Sequence, residues 1–165
     1  MSTTPPAERS ALIDRYAAGP ALLRAAVAKV PRDALQWRPA PGKWSVHEVV
    51  IHCADSETNA HMRLRYLLAE AKPVLIGYDQ DVWARELDYQ AHPIDPALAV
   101  IDAVHANTVP LLRRLPDAAF ARTGHHTESG AYSVEKWLRT YAEHIEVHIA
   151  QIGRNVAAFA ARSGV

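Results

Sequence analysis

The chain has 165 residues, an apolar fraction of 49%, and 18 basic side chains balanced by 18 acidic ones. These values fit a single globular domain over residues 1–165 and exclude an intrinsically disordered chain. A lone cysteine excludes an intrachain disulfide and a Cys-rich metal cluster, and a neutral balance without a Lys/Arg block leaves no electrostatic footprint for nucleic acid or an anionic membrane.

The first helical segment spans about 8–30, with Leu12, Tyr16, Leu23, Val27 and Val30 repeating largely at three-or-four spacing. Gly19-Pro20 falls inside it and predicts a kink or break. The second spans 46–71. Ser45 followed by Glu48 forms a capping-box pattern at its start. The third spans 96–114, with Asp95 as N-cap, Pro96 at the first helical position and Pro110 bending its end. The fourth spans 133–160, with Val134, Trp137, Leu138, Tyr141, Ile145, His148 and Ile152 along one side.

No alternation supports a strand core. Residues 123–132 can be extended, but Gly124 and Gly130 read as loop. Four amphipathic helices predict an all-α four-helix bundle. The connections 31–44, 72–94 and 116–132 are long, which marks them as candidates for function. The middle one is long enough to cross the bundle, so helices two and three can run parallel. It carries a short helical turn over 79–86. No apolar run reaches the ~18 residues of a membrane span. The opening MSTTPPAERS lacks the basic-then-apolar pattern of a secretory signal, so a cytoplasmic location is expected.

Histidine is the unusual entry, with nine copies. His144 and His148 stand at i, i+4 on the fourth helix, where two imidazoles can converge on one cation. The glutamate between them, Glu146, is one position later than the HExxH zincin pattern requires. A lone pair of this kind is as readily two half-buried histidines. His52 on the second helix is a third candidate: either a histidine hydrogen-bonded across the core, or the third ligand of a site that leaves one coordination position open. If helices two and four are antiparallel, helix four extends far enough for His52 to meet the pair.

The stretch from Lys43-Trp44 through His52 and Asp55 to Glu57 resembles the second-helix signature of the DinB-like superfamily. The stretch from Tyr132 through Trp137 and Tyr141 to His144 and His148 resembles its fourth-helix signature. Asp55-Ser56, Asn59, Arg63, Asp81-Val-Trp83 and His126-Thr-Glu128-Ser-Gly are closer still to its YfiT-like branch of metal-dependent hydrolases and thiol S-transferases. Thr127 stands where that last motif usually has proline. The resemblance covers about residues 8–155. It implies an up-down-down-up bundle with His52, His144 and His148 as ligands of a divalent metal, zinc or nickel foremost. It also implies a low-molecular-weight thiol of the bacillithiol type as a candidate cosubstrate.

Each remaining candidate has a bland reading beside it. Asp55, one turn from His52, can orient that ring or be a solvated carboxylate. Tyr141 can present a hydroxyl to a metal-bound ligand or simply pack. His126 can act as acid or base, or lie exposed in its loop. Asn59 and Arg63 extend the His52 side, and Arg63 can bind a substrate carboxylate or sit in a surface ion pair. Trp83 can cap a pocket or pack on the bundle. Cys53 reads as a small buried residue. The expected function is a metal-dependent transferase of a low-molecular-weight thiol onto a small-molecule electrophile. A hydrolase with a metal-activated water, a non-catalytic metal-binding protein and a purely structural bundle are the alternatives. Loop tryptophans and several apolar faces suggest a homodimer.

Overall fold

The computed structural model describes residues 4–162. Its four long helices are α1 (Pro6–Val27), α2 (Val46–Ala69), α4 (Ile94–Arg113) and α5 (Val134–Ala161), with the short α3 (Gln80–Glu86) in the crossover. Cross-links between helices fix their directions. Arg113 pairs with Asp14 and Arg24 with Asp102, so α1 and α4 are antiparallel. Arg139 pairs with Glu8 and Arg15 with Glu146, so α1 and α5 are parallel. Trp137 Nε1 donates to the Ala60 carbonyl and Asn155 Nδ2 to the Trp44 carbonyl, so α2 and α5 are antiparallel. His105 meets Glu57 and Thr108 meets His61, so α2 and α4 run the same way. The topology is up-down-down-up, and the long crossover is what permits the parallel middle pair.

Local chemistry accounts for most helix ends. The Ser45 hydroxyl accepts from Glu48 N while the Glu48 carboxylate accepts from Ser45 N, the full reciprocal cap expected at the start of α2. Asp79 caps α3 by accepting from Asp81 N and Val82 N. The start of α4 differs from expectation. It begins at Ile94 behind Pro93, and Asp95 lies inside the first turn instead of at the cap. First-turn N–H groups have no intrahelical partner, so Pro96 is tolerated there, and Asp95 is favourably placed at the positive end of the helix.

Pro20 does not break α1, which runs on to Val27 and stops short of Val30. Proline has no N–H to give the carbonyl four residues back, that of Tyr16. His105 Nδ1 donates to this carbonyl at 2.9 Å instead. The lost helical bond is thus replaced from α4.

The loop reading of residues 123–132 is corrected. A small sheet forms from β1 (Val74–Leu75), β2 (Thr123–His126) and β3 (Gly130–Ser133), with β1 parallel to β2 and β2 antiparallel to β3. The two glycines that read as loop are what allow it. A Cβ on Gly124 would stand 2.7 Å from both the Cγ and the carbonyl oxygen of Pro73. Gly130 takes φ 71° where the hairpin turns back. Thr127 holds the turn to the crossover, donating its N–H to Leu75 O and accepting from Gly77 N.

The core has two clusters. One surrounds Trp137, Tyr16, Leu64 and Leu112. The other surrounds Val49, Leu23, Ile101 and Ile145. Among the described residues no helix is long and apolar enough to cross a membrane.

Candidate metal centre

Antiparallel packing of α2 on α5 brings His52, His144 and His148 together. One ring nitrogen from each lies within 4.8 Å of the others. Ring centroids are 4.7 Å apart for His52–His148 and for His144–His148, and 5.6 Å for His52–His144. The i, i+4 spacing on α5 supplies two rings from one rigid helix, and α2 supplies the third.

The hydrogen bonding is lopsided. His144 Nδ1 is 3.1 Å from Glu57 Oε1, and His148 Nδ1 is 2.9 Å from Gln151 Oε1. Those contacts leave each Nε2 for the cluster. His52 is 1% exposed, and both of its nitrogens are buried without a hydrogen-bond partner. A polar ring in that state is costly unless something binds it. An orphaned His52 nitrogen within 4.8 Å of a nitrogen from each of two further imidazoles fits a metal ion, and imidazole suits zinc, nickel, copper and iron alike.

Burial and the neighbouring His148 and His144 push the His52 imidazolium pKa down to about 2. Burial, with His144 beside it, pushes that of His148 down to about 4. These two rings are therefore neutral at physiological pH, the form that ligates metal.

The other candidates are distributed around this cluster. Tyr141 lies beside His144, with ring centroids 5.6 Å apart, and burial raises its hydroxyl above the usual range. Arg63 Nη1 donates to the Tyr141 hydroxyl at 3.3 Å, and Nη2 donates to the Ile76 carbonyl. The guanidinium is thus engaged internally, not in a surface ion pair. His126 is buried on β2, where burial and the charge of Arg63 lower its pKa; its Nδ1 accepts from Glu128 N. Trp83 packs on Tyr78, with centroids 4.2 Å apart. Asn59 bonds back to the Asp55 carbonyl within its own helix and lines a cavity of about 240 Å³ with Arg63 and Ile76.

One expected contact is absent. Asp55 does not orient His52, which has no hydrogen-bond partner; its carboxylate accepts instead from the Tyr89 hydroxyl. A residue three after His52 on a helix is turned about 300° from it, and here that turn faces the crossover.

Sequence reasoning passed over Glu57. Glu57 lies five residues after His52, about 140° round the helix from it, so the spacing that groups the histidines does not single it out. His61 and His105 bond to Thr108 and to the Tyr16 carbonyl. Cys53 is fully buried, and burial pushes its thiol up, as expected for a packing residue.

The bundle, its crossover and a cluster of three histidines between α2 and α5 that could hold a metal ion define a class of helical-bundle proteins. The model of the DinB superfamily matches residues 15–152, and the chain belongs to that superfamily. A relative from Oceanobacillus iheyensis, provisionally named a metal-dependent hydrolase, is 38% identical over 133 residues, covering 81% of this chain and 77% of its own. YfiT of Bacillus subtilis, under the same provisional name, is 32% identical over 134 residues, covering 81% of this chain and 75% of its own. The solved structure of YfiT, described as having an unusual four-helix bundle topology, superposes with a TM-score of 0.86 at 27% identity, covering 99% of this chain and 92% of that one. A second solved structure, the four-helix bundle protein TT2238, shares the fold at TM-score 0.63 and 21% identity, covering 88% of this chain and 98% of that one.

Proposed function

We propose that the protein is a metal-dependent transferase that joins a low-molecular-weight thiol to a small electrophile, with His52, His144 and His148 as the metal ligands. The observation that carries the reading is the buried, partnerless His52 ring facing two neighbouring imidazoles. Three protein ligands leave an open position, the arrangement of catalytic and not structural zinc. A divalent metal bound there supplies a site where a thiol is held as thiolate, a nucleophile at neutral pH.

The chain's own residues favour thiol transfer over hydrolysis. Hydrolysis gains from a carboxylate base beside the attacking water. The two carboxylates near His52 on α2 are committed elsewhere: Asp55 accepts from Tyr89, and Glu57 accepts from His144. A thiolate needs no such base. In this reading Tyr141, with Arg63 on its hydroxyl, hydrogen-bonds the electrophile, and Trp83, packed on Tyr78, covers the crossover side. Hydrolysis is the second reading, supported by the provisional names of the relatives.

The test is the purified, metal-loaded protein incubated with bacillithiol and a reactive electrophile. Thiol is expected to disappear in step with thioether product. Electrophile hydrolysed at an unchanged thiol concentration would establish the second reading instead.

A further inference from the structure

Behind the three histidines lies a second row of buried groups: Glu57 of α2 and its partners on α1 and α4, the two helices that supply no ligand. Glu57 is completely buried, at 0% exposure. Its Oε1 is 3.1 Å from His144 Nδ1. Its Oε2 accepts from the Tyr16 hydroxyl of α1 at 3.3 Å and stands 3.1 Å from His105 Nε2 of α4, within ion-pair distance though off the line of a hydrogen bond. His105 is itself fixed. Its Nδ1 donates to the Tyr16 carbonyl left free by Pro20, and its ring stacks on Tyr16 with centroids 3.9 Å apart.

We infer that Glu57 is a positioning residue of the metal centre. Its carboxylate holds His144 with the proton on Nδ1 and turns Nε2 toward His52 and His148. The inference rests on the reading of the triplet as a metal site.

Three features of the contact set carry it. A carboxylate only accepts, so the His144 nitrogen facing it bears the hydrogen and the other nitrogen keeps its lone pair. Of the three rings, only His144 touches a charged partner: His148 has the neutral Gln151 amide, and His52 has none. The carboxylate is also held at both ends, by α5 on one side and by α1 and α4 on the other. It therefore cannot rotate away without breaking contacts to two further helices. A carboxylate buried to this degree is costly unless it is paired and hydrogen-bonded. Placed against a metal ligand, it makes that ligand more basic.

The experiment uses the full chain, stripped of metal and titrated with zinc against a chromophoric chelator at pH 7.5. Ring nitrogen shifts of His144 are read by NMR in the metal-free protein. Wild type is expected to bind one zinc per chain and to carry the His144 proton on Nδ1. Glu57→Gln keeps the shape and loses the charge, and is expected to weaken zinc binding about tenfold to hundredfold. If Glu57→Gln does not fold, Tyr16→Phe decides. It removes one donor to Oε2 and keeps the stack on His105, and is expected to weaken binding about twofold to fivefold. A purely structural network would change the melting temperature of these variants and leave the zinc affinity of the folded fraction alone. An unchanged affinity in the deciding variant, or a wild-type His144 protonated on Nε2, overturns the role of Glu57 while the metal site stands. Wild type that takes up no zinc overturns the metal site and this inference with it.

Discussion

Trp44 lies over His52, with ring centroids 4.7 Å apart and 43° between the planes. Asn155 of α5 holds the indole's residue in place by donating to the Trp44 carbonyl at 2.9 Å. The indole is thus one wall of the low-dielectric pocket that keeps His52 neutral.

Trp44→Ala removes that wall. Water then reaches His52, and its pKa moves back up from about 2 toward the ordinary histidine value. The lost packing costs on the order of 3 kcal/mol. An NMR pH titration of the His52 ring and a denaturant melt check the two parts separately, and Trp44→Phe is expected to fall between wild type and Ala in both.

His148→Ala is expected to abolish most metal uptake and leave the bundle folded. The buried side chains Val134, Leu138 and Ile152 on the same helix keep their contacts. Removing the ring also relieves the charge that depresses His52. Metal analysis beside circular dichroism checks this, and equal metal content in variant and wild type would speak against a shared ion.

The metal-free protein should be destabilised by acid in a defined window. His52 and His148 have folded pKa values of about 2 and about 4, both below the unfolded value near 6.5. Between those limits the unfolded chain binds more protons, so stability rises with pH and falls as pH drops below about 6.5. The loss by pH 5 is on the order of 2 kcal/mol for each of the two rings. Melting curves at pH 7.5, 6.0 and 5.0 test the slope, and saturating zinc is expected to raise stability at each of these pH values.

Gly124→Ala is expected to destabilise the fold by about 1–3 kcal/mol, since the new methyl meets Pro73 at 2.7 Å, partly through backbone that cannot swing aside. The sheet joining the crossover to the hairpin should loosen first. Hydrogen exchange at the Thr127 amide, bonded to Leu75 in the wild type, reports that directly.

The bundle was legible in the sequence because its signals are local. Ser45 and Glu48 mark the start of α2, the apolar spacing of Val134, Leu138, Tyr141 and Ile145 marks α5, and the length of the crossover implies parallel middle helices. Helix arithmetic permitted the convergence of His52 with His144 and His148 once α2 and α5 were taken as antiparallel, and the resemblance to the DinB-like superfamily implied it. The sheet was not legible, because two-residue and four-residue strands have too few side chains to show alternation, and their glycines act through close approach to Pro73 and through φ. The bond from Tyr89 to Asp55 was not legible, since spacing along one helix says nothing about Tyr89 reaching in from the crossover. Glu57 went unnoticed for a related reason: its partners come from three other helices.

Because α1 and α5 run in the same direction, the start of one and the end of the other emerge at opposite poles. The 28 residues of α5 span about 42 Å at 1.5 Å per residue. Donor and acceptor fluorophores attached at those two poles would therefore sit at a separation where energy transfer is sensitive to small changes. A circular permutant would need a tether of about a dozen extended residues to close the gap. A rope tied to the same poles would pull along the helix axes, loading α1 against α5 in shear instead of peeling one from the other.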